Sequence, residues 1–424
     1  MSKPASQIPE GIGTPQQVAS MKRRRAVERR FRVYGRACVA FSILALSWLL
    51  LSVLNTGLSG FTHHWVDLEL QAPSNTQSGL TERQSFIDVL SESYPEASDD
   101  PQAILPLISD TAAIEAFREQ TSTSPNALSI SVPVSPKSDQ FLKGHLNVNE
   151  DSFERVLTTT QIKWLEDRRA EGNISRRFNS GLFVNPDSRD AERAGLATAI
   201  FGSVMIVLIS GLVAIPVGVG AAIYLDSFAP QTGWAGKLTR FLEVNINNLA
   251  AVPAIVFGLL GLAIFINLFG LARSIPLVGG LVMALRMFPT IVIASRSALQ
   301  AVPESLTDSA LSLGASRIQA VFNHKVPVAA PAMLTGAIIG MAQALGETAP
   351  LLMIGMVAFV TTVPETPLDP ATALPVQIFL WSGSADLAWA EIASAAIIIL
   401  LCVLMLINGV AVIVRERLQR KPRA

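Results

Sequence analysis

The chain has 424 residues, half of them hydrophobic and only 16% charged, and its mean hydropathy is +0.42. That composition excludes an ordinary soluble domain and places the protein in the membrane class. Lys and Arg number 33, as do Asp and Glu, so the zero net charge offers no argument for a nucleic-acid partner. Two cysteines, Cys38 and Cys402, both inside apolar runs, supply neither a disulfide framework nor a cysteine metal site.

The first 36 residues hold nine Lys/Arg and two acids, most of the bases in "KRRRAVERRFRVYGR". Directly after it, "ACVAFSILALSWLLLSVLNTGLSGF" runs for 25 residues without a charge, long enough to cross a hydrocarbon core of about 30 Å. It exceeds the roughly 7 to 15 residues of a signal-peptide apolar region. The expectation is a basic tail over 1–36 and a retained signal-anchor helix over 37–61. Between His63 and Arg193 the chain turns polar, with 21 Asp/Glu and 12 Lys/Arg. The helical period of "TAAIEAFREQ" and "SFERVLTTTQIKWLEDRRAEG" predicts an α-rich insertion over 62–193 with extended linkers. His63 and His64, just beyond the first span, are expected to be solvated surface.

Five further apolar stretches follow at about 195–225, 246–269, 275–297, 327–358 and 388–414. They predict an all-α integral membrane protein with six transmembrane helices, a core over 194–414 and a basic tail over 415–424. Lys237 and Arg240 lie in one short connection, and Arg296, Arg317 and Lys325 in another. The tail carries five more bases, whereas 359–387 has none. By the positive-inside bias both termini face the cytoplasm and 62–193 lies outside, periplasmic in a bacterium. No phosphate-cradling GxxxxGK loop, HExxH or GxSxG occurs. ATP-driven work would therefore need another subunit, and no enzymatic activity or cofactor is expected of this one.

The stretch "DSALSLGASRIQAVFNHKVP", Asp308 to Pro327, reads as a short helix, a glycine and a second helical piece ending at a proline. Ser305, Thr307 or Asp308 are candidate caps, and Gly314 permits a close turn. Its spacing resembles the signature of permease subunits of ATP-binding-cassette importers: Glu-Ala-Ala, three residues, Gly, nine residues, Ile-x-Leu-Pro. Here Asp308-Ser309-Ala310, Gly314 and His324-Lys325-Val326-Pro327 occupy that register, with His324 replacing Ile. The resemblance implies a coupling loop over 304–327 whose Asp308, Ser309, Ala310, Gly314 and Pro327 serve the contact with a cytoplasmic ATPase. "NNLAAVPAIVFGLLGLAIF", "LRMFPTIVIASRSALQAVPESL", "GETAPLLMIG" and "DPATALPVQIFLW" further resemble the phosphate permeases of the PstA type. That likeness implies the type I importer fold, a PstC-like second permease, a PstB-like ATPase dimer and a PstS-like phosphate-binding protein. The long insertion after span 1 departs from the compact pattern.

Arg286 and Glu347 are charges inside apolar runs, where burial is costly and tends to mark a pathway. Two readings stand: a pair that locks spans 4 and 5, or a pair lining the gated path of inorganic phosphate. Arg286 would supply bidentate donors, and Glu347 its counter-ion. Gln343, four residues before Glu347, shares its helical face and stands where the related permeases are expected to carry arginine. The same fold could instead serve molybdate or sulfate, or act as a membrane-anchored phosphate sensor and signalling scaffold.

Overall fold

The computed structural model describes residues 15–70, 82–94, 104–123, 128–146, 157–384 and 386–420. Residues 1–55 and 56–424 make two compact bodies. Helix α1 (Pro15–Gly60) supplies the described part of the first, and its last turn belongs to the second. Pro15 suits a first helical position, where its missing N–H costs nothing, and no other proline follows before Gly60. The expected tail and first span are therefore one helix, apolar enough to cross a membrane from Val27 to Gly60. Residues 1–14 of the tail, and 421–424 at the other end, lie outside the described residues.

The insertion is not purely helical. Strand β1 (Thr62–Leu70) lies between β2 (Leu128–Pro133) and β3 (Ile174–Phe178), antiparallel to both. Val66 faces Val132 on one side and Ile174 on the other, and Leu68 faces Ile130. Alternation buries Val66, Leu68 and Leu70 while Glu69 points outward, the period-2 pattern of a half-buried strand. Helices α2 (Glu82–Ser93), α3 (Asp110–Thr123), α4 (Pro136–Leu142) and α5 (Thr159–Ala170) accompany the sheet. Phe86, Leu90, Leu107, Phe117, Trp164 and Leu165 join the buried strand residues in one core, so the insertion has its own hydrophobic centre. Ser135 caps α4, and Thr158 caps α5 in a reciprocal box with Gln161, satisfying N–H groups that a helix start leaves open. A short turn, α6 (Gly181–Val184), leads toward the membrane core.

In that core α7 (Ala197–Ile223) continues into a π-helical turn, Tyr224–Phe228. Next come α8 (Gly233–Ala250) and α9 (Ala254–Gly261), the latter extended by a π-helical stretch, Leu262–Leu268. The span expected over 246–269 is not one continuous helix: α8 and the helix after it meet at 105°. Pro253, which caps α9, has no N–H to continue the ladder and disfavours helix in the residue before it. Among the described residues five single helices are long and apolar enough to cross a membrane, and the bent pair would make six.

Helix α10 (Pro276–Gln300) is central, packed against α7, α8, α9 and the later helix α13 (Val326–Gly346). Val282, Met283, Met287 and Ile291 on it are fully buried. Approach is close because glycines sit at the crossings. A Cβ on Gly280 would fall 2.6 Å from Ile209 of α7, and one on Gly336 of α13 would collide with Ala294 of α10. The remaining elements are α11 (Glu304–Ser312), α12 (Arg317–Ala320), α14 (Ala349–Met353), α15 (Leu374–Ser382) and α16 (Leu387–Arg420). In the apolar stretch over 327–358 the helix ends at Gly346, within the "GETAP" sequence whose Gly346 and Pro350 favour a loosened helix: Glu347 is extended, with φ −85° and ψ 124°.

Candidate functional site

The break after α13 decides where the membrane carboxylate points. Pro350 cannot donate to a continuing ladder, so the chain leaves the helix at Glu347 and restarts as α14. The Glu347 carboxylate then meets the Arg286 guanidinium of α10 through Oε1 and Nη2, with side chains 23% and 21% exposed. An ion pair so placed is neutral as a unit, which is how two charges persist in an apolar layer. Gln343, one turn earlier, is exposed and outside this pair; the shared-face expectation lapses because Glu347 is no longer helical.

The 304–327 segment forms two short helices around a tight turn. Gly314, with φ +89°, makes the turn, a backbone region that side chains with a Cβ avoid. Ser316 then caps α12 in a reciprocal box with Gln319. The chain passes through a π-helical turn, Val321–Lys325, into α13, with Pro327 in its first turn. Asp308, Ser309, Gly314 and Pro327 are exposed. One expectation is corrected: Pro303, not Ser305, Thr307 or Asp308, precedes α11, and no side chain caps it; Asp308 sits in mid-helix. Ala310 is 7% exposed and packs within this chain. The outward apolar groups are Leu306, Leu311, Leu313, Ile318 and Phe322, with Leu313 90% exposed.

Two ion pairs unforeseen from sequence hold the same end of the core. Lys325 Nζ lies 2.7 Å from Asp226 Oδ2, with side chains 15% and 6% exposed. Arg296 Nη2 lies 2.7 Å from Glu243 Oε1, beside a cavity of about 200 Å³ that Asn247, Ser297 and Gln300 also line.

At the base of the insertion the histidines contradict the surface expectation. His63 is buried, its Nδ1 3.3 Å from Asp139 Oδ2 and its Nε2 2.9 Å from the Val134 carbonyl. His64 Nδ1 lies 2.8 Å from Asp139 Oδ1. Lys143 Nζ is 2.6 Å from both Asp139 Oδ2 and Glu391 Oε1, and donates to the Ser59 carbonyl at 3.0 Å. Burial opposes ionisation of Asp139, but hydrogen bonds from both histidines and the charges of His63 and Lys143 outweigh it and hold the carboxyl well below the usual carboxylate range. Burial likewise opposes charge on His63, and Asp139 overcomes it, raising the imidazole. The sequence signals for this cluster were the adjacent His63 and His64, read as surface, and the i,i+4 spacing of Asp139 and Lys143.

Against known proteins, residues 214–423 match the family described as "Binding-protein-dependent transport system inner membrane component". Residues 18–151 match a domain of unknown function, DUF3333. A probable ABC transporter permease protein of Bacillus subtilis, YqgH, is 31% identical over 52% of this chain and 71% of its own length. The phosphate transport system permease protein PstA of Yersinia pestis is 30% identical over 50% of this chain and 70% of its own. Among solved structures, the inward-facing MetNI methionine ABC transporter aligns at 19% identity and a TM-score of 0.44, over 53% of this chain and 96% of that one. The chain belongs to the binding-protein-dependent ABC importer permeases, and within them to the PstA type.

Proposed function

We propose that this protein is the permease subunit that carries inorganic phosphate across the membrane in an ATP-driven importer. A separate cytoplasmic ATPase dimer, a second permease of related fold and an extracytoplasmic phosphate-binding protein complete the machine. The observation that carries the reading is the likeness to PstA permeases over half of the chain, together with the permease-family match over 214–423, which holds Arg286 and Glu347. In this arrangement both termini face the cytoplasm and the insertion faces the opposite side. The exposed groups of 304–322 meet the ATPase, with Asp308 and Ser309 on the contact face. Arg286 is neutralised by Glu347 while the path is closed. Exchange of that carboxylate for phosphate, another oxyanion that a guanidinium binds bidentately, opens it.

The test is uptake of labelled phosphate by cells carrying this chain with its partners, wild type beside Arg286→Gln and Glu347→Gln at matched membrane levels. Uptake is expected to be lost in Arg286→Gln and impaired in Glu347→Gln. Unchanged uptake in both would remove the pair from the path. Wild type that takes up labelled molybdate or sulfate but no labelled phosphate would reassign the substrate.

A further inference from the structure

The coupling segment runs directly into α13, and an ion pair and a cation–ring contact also tie it to the end of α7. Helix α7 ends in the π-helical turn Tyr224–Phe228, closed by the Ala229 N–H donating to the Tyr224 carbonyl at 2.8 Å. The segment after α12 passes through a second π-helical turn, Val321–Lys325, closed by the Val326 N–H on the Val321 carbonyl. Such wide turns are rare and concentrate at functional sites, because each costs helical regularity. Each of the two contributes one partner to the Lys325–Asp226 pair at 2.7 Å. Ser227 Oγ donates to the same Asp226 oxygen at 2.8 Å. A second tie lies alongside: the Arg317 guanidinium of α12 stands 5.9 Å from the centre of the Phe228 ring. Beneath both, Leu225, Ala229, Leu299, Val321 and Met333 share one buried cluster.

We infer that Asp226 and Lys325, supported by Phe228 and Arg317, form the link through which the coupling segment drives α7. The inference rests on the coupling role proposed above and adds the residues that transmit it. At its other end α7 holds Ser203, whose Oγ accepts the Leu374 N–H of α15 at 2.7 Å. From Asp226 to Ser203 the helix extends roughly 35 Å at 1.5 Å per residue. A displacement at the link thus reaches the opposite end of the core along one element.

The test uses the complete transporter in proteoliposomes, with Lys325→Gln, Asp226→Asn and the exchanged pair Asp226→Lys/Lys325→Asp. ATP hydrolysis and labelled inorganic phosphate uptake are read in the same vesicles. Phosphate moved per ATP is expected to fall about fivefold or more in each single variant, the low end of a coupling energy between sites, and to recover in the exchanged pair. An unchanged ratio, or uptake and hydrolysis falling together without recovery, would overturn the link.

A substrate-independent reading accompanies it: hydrogen exchange of the 224–228 amides with and without ATP plus vanadate. Trapping is expected to change their exchange in wild type and to leave it unchanged in Lys325→Gln. The same response in both proteins would also overturn the link. Wild type that shows the response but moves no phosphate would overturn the substrate assignment and support the link.

Discussion

Lys143 of the insertion and Glu391 of α16, 248 residues apart in sequence, meet at 2.6 Å with both side chains almost fully buried. The ammonium is shared with Asp139 at the same distance, so one lysine compensates two buried carboxylates. Through it the insertion, the last turn of α1 and the start of α16 are tied at one point.

Replacing Lys143 by methionine keeps most of the unbranched apolar stem and removes the charge, leaving Asp139 and Glu391 without their ammonium. Breaking a buried pair from one side costs about 3–5 kcal/mol. The variant is expected to unfold at a clearly lower temperature in detergent, and Glu391→Gln to lose less, because Lys143 retains Asp139. Equal melting temperatures for wild type and Lys143→Met would refute the compensation.

The same cluster makes stability depend on pH. The His63 imidazole is raised above its ordinary 6.5, so its contribution is complete below that value and is lost as pH rises through the folded-state value. Asp139 is lowered from its ordinary 3.8, so its contribution is complete above about that value and is lost only in strong acid. Insertion stability should therefore be greatest between about pH 4 and 6.5 and fall on the alkaline side. Urea unfolding followed across pH would measure it, and His63→Gln should flatten the alkaline limb. A limb that survives in His63→Gln belongs to another group.

For Arg286 and Glu347, the two single neutral variants are expected to be less stable than the double variant Arg286→Gln/Glu347→Gln, since each single change leaves one charge unpaired in the membrane. Phosphate uptake should stay absent from the double variant although its thermal stability recovers. Recovery of both together would make the pair a packing device and nothing more.

In the 304–327 segment, Gly314 has open space around the position of a Cβ but a left-handed backbone. Gly314→Val should therefore cost about 1–2 kcal/mol through strain, while Gly314→Asn is tolerated. Leu313→Glu, at a side chain in solvent, should stay within about 0.5 kcal/mol of wild type in stability. It should nevertheless weaken retention of the ATPase during purification of the complex. Undiminished retention would move the contact face elsewhere.

What sequence reading captured was local or compositional. Charges in apolar runs singled out Arg286 and Glu347, and the glycine and proline spacing located the 304–327 segment, both without any contact being known. What escaped was non-local. The three strands lie far apart in the chain, so no hairpin signal announced the sheet in an insertion expected to be α-rich. Pro253 was visible inside an unbroken apolar run, yet hydropathy does not register direction, and the bend passed as a single span. Ala310 matched its motif position while its burial depended on the turn at 321–325, against which α11 packs.

The glycines at the helix crossings invert the logic of a common experiment. Alanine scanning treats alanine as the removal of a side chain, and reads loss of function as loss of what was removed. At Gly280 and Gly336 alanine is an addition, pressed against Ile209 and Ala294. A scan of α10 and α13 would record its harshest positions where the native residue contributes no side-chain atoms. Those positions would report the spacing of the helices rather than any group that touches the transported ion.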